Sequence, residues 1–241
     1  MENKRGQGIF LGIVGVATLV VAIIGATFAY FSASISGSNN VDITAYDFDA
    51  DLDITMLSDE AEHKLIPLLP DGPEKLADGS DNPAYEAASN AYLLAAVNNT
   101  SGEGVCVDEN GYQVCELVQA TFTNNGTTAI SLTGNLTATT NGFTNLKVVE
   151  LSKDGSGKYS VSGTAQPAPT ANAKPGLSLS PASVDVTGST DGNTVVKYFA
   201  IYLFDTGLPQ ESEMGQQFYG SFTYTSAIGG DKLSGTFTIN Q

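Results

Sequence analysis

Asp47-Phe48-Asp49-Ala50-Asp51-Leu52-Asp53-Ile54 alternates without a break. In an extended chain Phe48, Ala50, Leu52 and Ile54 share one face, and Asp47, Asp49, Asp51 and Asp53 share the other. That period of two is the pattern of a strand with one buried and one solvated side, and the strand reading extends over Val41–Met56. The same rhythm recurs downstream. Leu117–Thr123, Ala129–Thr139, Leu146–Ser152 and Tyr159–Gly163 read as strands, parted by the turn signals Asn124-Asn125-Gly126, Asn141-Gly142 and Asp154-Gly155. Leu177–Val186 reads as an edge strand interrupted by Pro181. Thr194–Phe204 is the most apolar run, with Tyr198, Phe199, Ile201, Tyr202 and Phe204. It is predicted to lie centrally in a sheet, covered on both faces. Phe218–Tyr224 and Lys232–Ile239 form a last pair around Gly229-Gly230. The expected fold is mainly β: a single jelly-roll-like antiparallel β-sandwich.

One helix interrupts the strands. Asn82 and Pro83 have the chemistry of an N-cap and a first helical position. Ala84–Val97 then fits a short helix, with Tyr85, Ala88, Tyr92 and Ala96 along one side. Beyond it, Val105-Cys106-Val107 and Gln113-Val114-Cys115 flank Asn110-Gly111, a hairpin signal. The hairpin can set Cys106 opposite Cys115, and outside the membrane a disulfide is the natural reading. Free thiols or a metal site are the alternatives. Ala165–Gly176 reads as a loop.

The chain has 241 residues, 26 acids against 10 bases, and a net charge of −16. The bases are scattered, whereas a phosphate-binding surface needs them clustered, so nucleic acid is not an expected partner. With 41% hydrophobic residues the chain is not generally disordered. A lone histidine, His63, and two cysteines leave little for a zinc cluster or a Cys-His nucleophile. No phosphate loop, dinucleotide fingerprint or nucleophile elbow is present. No catalytic residue and no cofactor is assigned, and the chain is not expected to be an enzyme.

Ile9–Phe31 runs 23 residues without a charge. As a helix it is about 34 Å long, enough to cross the roughly 30 Å apolar core of a bilayer. Lys4 and Arg5 precede it and favour export of everything that follows. The segment reads as a signal peptide cut near Thr27, Ala29 and Tyr30, or as a retained transmembrane helix. Removing Glu2, Lys4 and Arg5 with it leaves 25 acids and 8 bases, a charge of −17. The organisation expected is a signal or anchor at 1–31, an extended arm at 32–46, and a sandwich at 47–241. Residues 71–115 form its inserted loop, helix and hairpin.

The acid ladder also resembles the start of a calcium loop. Counting from Asp49 puts Asp51, Asp53 and Glu60 at the third, fifth and twelfth positions. However, Ile54 stands where such a loop needs glycine. A solvated strand face explains the same spacing without calcium.

Three stretches resemble the TasA/camelysin family of secreted matrix-fibre proteins. Gly25-Ala26-Thr27-Phe28-Ala29-Tyr30-Phe31-Ser32 is similar to the end of signal peptides handled by the SipW-type signal peptidase. Ala120–Gly126, with the strand holding Ile130 and Leu132, is similar to the family's strand, Asn-Gly turn, strand unit. Gln216–Gly220 leading into Phe222 and Tyr224 resembles its Tyr-x-Gly turn into an aromatic strand. The resemblance implies a sandwich that polymerises outside the cell in biofilm matrix fibres, the N-terminal strand of one subunit completing the sheet of the next. Phe48, Ala50, Leu52 and Ile54 then mark the donor strand; the alternative is that this strand pairs within its own domain. The function expected is a non-enzymatic extracellular or cell-surface structural subunit, a homo-oligomer or fibre. It meets the membrane through residues 9–31 before or without cleavage. Two alternatives stand beside it. One is a membrane-anchored adhesin or ligand-binding sandwich. The other is a pilin-like subunit with a retained N-terminal helix, to which Lys4-Arg5-Gly6 points.

Overall fold

The computed structural model describes residues 48–58, 64–68, 80, 82–99, 105–189, 192–206 and 210–240. The signal or anchor segment, its cleavage vicinity, the arm and Glu60 lie outside them. The described residues fall within one compact unit, Tyr46–Gln241.

Among the described residues ten strands make two antiparallel sheets. They are β1 (Ala50–Met56), β2 (Glu116–Asn124), β3 (Ile130–Asn141), β4 (Leu146–Lys153), β5 (Tyr159–Val161), β6 (Gln166–Pro167), β7 (Leu177–Val184), β8 (Thr194–Leu203), β9 (Gln217–Ser226) and β10 (Lys232–Asn240). The six-stranded sheet runs β1-β2-β8-β4-β5, with β6 also on β4; the four-stranded sheet runs β10-β9-β3-β7. The fold is the β-sandwich that the alternating runs predict. β1 alternates as expected: Ala50, Leu52 and Ile54 turn toward the core while Asp51 and Asp53 are exposed.

β8 is central, and its two faces explain its composition. Phe199, Ile201 and Leu203 enter the core between the sheets, with Phe122, Phe218, Phe222 and Tyr224. Ala200, Tyr202 and Phe204 enter a second core on the outer face. That outer core is roofed by α1 (Pro83–Val97), whose Tyr85, Leu93, Ala96 and Val97 are buried. The helix begins as its sequence predicts, with Asn82 Oδ1 accepting the Ala84 N–H at 3.1 Å.

Three expectations need correction. The helix face is Tyr85, Ser89, Leu93 and Ala96, whereas Tyr92 is exposed and Ala88 half-buried. Both sets obey helical spacing. Burial of Ser89 is satisfied because its hydroxyl donates to the Tyr85 carbonyl at 2.9 Å. The cysteine hairpin is a single bridge, Val107 to Gln113, rather than two paired strands. Asp108 shapes its turn by accepting the Asn110 and Tyr112 N–H groups at 2.9 and 2.8 Å. Finally, the 165–176 loop contributes β6, which pairs on the rim of β4. Pro167 is tolerated there because an edge position needs no further donor.

Candidate functional site

The candidate site is β1, the strand read as a donor, together with what holds it. β1 is the edge of its sheet and pairs with β2 of its own chain, Ala50 opposite Asn124 through Met56 opposite Val118. Its inward residues differ from those of its neighbour. Val118, Ala120 and Phe122 on β2 are fully buried, whereas Phe48, Ala50, Leu52, Ile54 and Met56 are only half-buried. An edge strand with a half-wet apolar face contributes less burial free energy than a central one.

The two ends of β1 are held differently. At the start, Asn125 donates its backbone N–H to the Asp49 carbonyl at 2.7 Å and its side-chain amide to Asp51 at 2.9 Å. These bonds are at the exposed rim. At the far end, Ser58 is buried and its hydroxyl donates to Glu116 Oε2 at 2.5 Å while accepting the Leu117 N–H at 2.8 Å. Gln113 Nε2 donates to Glu116 Oε1 at 2.6 Å. Next to this polar knot Cys106 and Cys115 form the predicted disulfide, Cα to Cα 5.0 Å, with both residues fully buried. The knot and the staple fix the chain just beyond β1.

Asp49, Asp51 and Asp53 form an exposed ladder. Asp51 accepts from Asn125 and Asp53 accepts from Thr55 at 3.1 Å. Glu60, the fourth candidate calcium ligand, lies outside the described residues, and among those described no three acids, histidines or cysteines converge on a metal position. Likewise, no described helix is long and apolar enough to cross a membrane; Ile9–Phe31 is not among them.

Sequence reading missed a second polar cluster. Glu150 of β4 and Lys197 of β8 point between the sheets, with Lys197 Nζ 3.0 Å from Glu150 Oε1. Ser180 of β7, on the opposite sheet, donates its hydroxyl to Glu150 and accepts from Lys197 Nζ at 2.9 Å. A cavity of about 170 Å³ opens beside them, lined by Glu150, Gln166, Ser178, Ser180 and Phe199 among others. The three side chains answer one another across the gap and clamp sheet to sheet. They are far apart in sequence and meet only through strand pairing and sheet packing, so no local signal announces them.

A larger open groove of about 480 Å³ lies between α1 and the cysteine turn, lined by Tyr92, Ala95, Asn99, Val107, Asp108 and Glu109 among others.

No protein-family model and no curated protein matches the chain. Among solved structures it is similar to the cupredoxin domain of amoB from Nitrosocaldus yellowstonii. The identity is 10%, the match covers 80% of this chain and 86% of that one, and the TM-score is 0.37. It is also similar to a family 123 glycoside hydrolase from Clostridium perfringens, at 11% identity and a TM-score of 0.30. There the match covers 52% of this chain and 20% of the hydrolase. Neither likeness assigns a function.

Proposed function

We propose that the chain is a non-enzymatic extracellular structural protein, a matrix-fibre or cell-surface subunit of the TasA/camelysin kind. Subunits join by donating the N-terminal strand to a neighbour. The observation that carries this reading is the state of β1. It is an edge strand, preceded by a polar arm, with an apolar face only half-buried in its own sandwich. Such a strand can exchange an intramolecular ladder for an identical intermolecular one at little net cost, because main-chain hydrogen bonds and alternate side-chain pockets are conserved in the exchange. A head-to-tail exchange of this sort does not close and gives a filament.

The test is a staple between β1 and β2. Asp51 stands opposite Thr123. The double variant Asp51→Cys/Thr123→Cys, once oxidised, holds β1 on its own sheet. Fibres seen by electron microscopy for the wild type are expected to be absent from the stapled protein. Fibres formed equally well by the stapled protein refute strand donation. A wild type that stays monomeric at every concentration and salt refutes the fibre reading itself.

An anchored ligand-binding module is the second reading, favoured by the groove beside exposed Tyr92. Glycan binding that is lost in Tyr92→Ala supports it.

A further inference from the structure

Among the described residues the sandwich has four sheet edges, and three of them are blunted against further pairing. β1 carries Asp51 and Asp53 on its exposed face. β5 and β6 are three and two residues long, and β6 ends in Pro167. β7 holds Pro181 and breaks register against β3 between Leu132 and Gly134. Short strands, charges, prolines and bulges are the devices by which edges avoid pairing. β10 carries one of them alone, the charge of Lys232 at its first residue. It is nine residues, Lys-Leu-Ser-Gly-Thr-Phe-Thr-Ile-Asn, in unbroken register with β9. It contains no proline and no acid, and its one charge is at Lys232.

The hydrogen-bonding phase of that edge is fixed. Ser226 donates its N–H to the Asp231 carbonyl at 2.7 Å. Bonded pairs recur at every second residue of an antiparallel ladder. Leu233, Gly235, Phe237 and Ile239 therefore bond to β9, through Tyr224, Phe222, Gly220 and Phe218. The N–H and C=O groups of Lys232, Ser234, Thr236, Thr238 and Asn240 point away from β9. Among the described residues nothing pairs with them.

We infer that β10 is a self-pairing edge: two copies of the chain join β10 to β10, antiparallel, about a two-fold axis at Thr236. Thr236 is the middle residue of the strand, so the whole edge pairs in this register. Thr236 meets its own copy, Ser234 meets Thr238, and Lys232 meets Asn240. All five outward positions belong to bonded pairs. On the core face Leu233 lies opposite Ile239, and Phe237 lies opposite Gly235, whose core side is filled by Ile54 of its own chain. No like charges stand opposite one another. A one-residue slip would swap the faces, and a two-residue slip would leave outward groups unpaired at each end. The two four-stranded sheets become one continuous sheet. The contact is isologous and closes as a dimer. It is therefore distinct from filament growth by strand donation. With a net charge of −16 on each copy, dimerisation strengthens as salt screens the repulsion.

The full chain in mild detergent provides the test. Opposed Cα atoms of a bonded pair are about 5.5 Å apart, within disulfide reach. Thr236→Cys is expected to form a covalent dimer readily under mild oxidation. Ser183→Cys, exposed on the blunted β7 edge, is expected to do so only slowly. Thr236→Pro removes an outward N–H that no intramolecular bond uses, and Thr236→Lys sets like charges face to face on an exposed position. Both are expected to sediment as monomers, with the thermal midpoint of Thr236→Lys unchanged. Loss of the dimer in Thr236→Lys with fibres intact supports β10 pairing as a separate contact. A wild type that is monomeric across concentration and salt overturns the inference. Equal cross-linking of the two cysteine variants, or dimers that survive both Thr236 substitutions, does the same.

Discussion

The Ser58 hydroxyl donates to the Glu116 carboxylate at 2.5 Å, joining residues 58 positions apart where β1 gives way to the following loop. Both residues are buried, Glu116 at 6% exposure, and Gln113 donates to the same carboxylate. Replacing Glu116 with alanine takes the acceptor from the buried Ser58 hydroxyl, while Gln113 Nε2 keeps the Ser58 and Cys115 carbonyls at 3.4 and 3.3 Å. A buried donor left unsatisfied costs about 1–3 kcal/mol. Glu116→Ala is therefore expected to lose about 1–3 kcal/mol in urea unfolding, and Glu116→Gln less, because an amide oxygen still accepts a bond. A loss under about 0.5 kcal/mol in Glu116→Ala would show that the knot does not hold the end of β1.

The Glu150–Ser180–Lys197 clamp gives a different signature. Glu150 and Lys197 keep 17% and 20% of their side-chain surface. Removing one charge strands the other between the sheets, whereas replacing both with apolar groups does not. Lys197→Met is expected to cost about 1–3 kcal/mol. The pair Lys197→Met/Glu150→Leu is expected to recover most of that loss, which a double-mutant cycle measures. Additive single effects would mean that the two charges do not interact.

The disulfide closes a loop of nine residues' separation, next to the polar knot. The chain-entropy account assigns such a short loop about 2–3 kcal/mol. Cys106→Ser/Cys115→Ser is expected to lose about that much and to leave the β-sandwich signal in circular dichroism intact. The first segment to become protease-sensitive should be α1, which packs on the same outer core as both cysteines. Prior loss of the sandwich would place the staple's effect in the wrong layer.

Strands were legible wherever polar and apolar residues alternate, as in Asp49–Ile54, or wherever a run such as Tyr198–Phe204 is too apolar to face water. The cap at Asn82 and the Cys106–Cys115 pairing were legible because both are local. The clamp was not, because Glu150, Ser180 and Lys197 meet only through the topology of three strands on two sheets. Nor was the hub at Asn124. Its side-chain amide donates to the carbonyls of Thr128 and Asp185 at 3.0 and 2.8 Å, while Asn193 donates to its backbone carbonyl at 3.0 Å. In sequence it reads only as a turn residue. The helix face differs from the expected one at two positions, Ser89 in place of Ala88 and Leu93 in place of Tyr92, because Ser89 looks like a surface residue until its bond to Tyr85 is seen.

Gly134 illustrates the same limit. Within a strand a glycine is unfavourable, yet a Cβ built here would lie 2.5 Å from the Tyr224 ring and 3.0 Å from Leu179 Cβ. The position is small because the ring occupies it. Gly134→Ala is expected to cost about 1–3 kcal/mol through overpacking, although alanine is the better strand former. A thermal midpoint equal to or above that of the wild type would refute the close approach.

Tyr224 also sets the alkaline limit of the fold. Tyr202 and Tyr224 are 1% and 0% exposed. Burial pushes both phenols well above their ordinary range, and the negative charges of Glu86 near Tyr202 and Glu150 near Tyr224 add to the shift. In the unfolded chain a tyrosine loses its proton near pH 10. A folded value above the unfolded one means that the neutral phenol is the form the fold prefers. The contribution is thus fully present below about pH 10 and is lost as the pH rises toward the folded value. Of the chain's ten tyrosines, these two are expected to ionise only together with the loss of strand signal. Phenolate absorbance followed beside circular dichroism measures both events. Ionisation of all ten near pH 10 with the sandwich intact would contradict the burial argument. The Tyr224 hydroxyl has no hydrogen-bond partner among the described residues. Tyr224→Phe therefore removes a buried polar atom without stranding another. It is expected to be as stable as the wild type or more so at neutral pH, and to unfold at a higher alkaline midpoint.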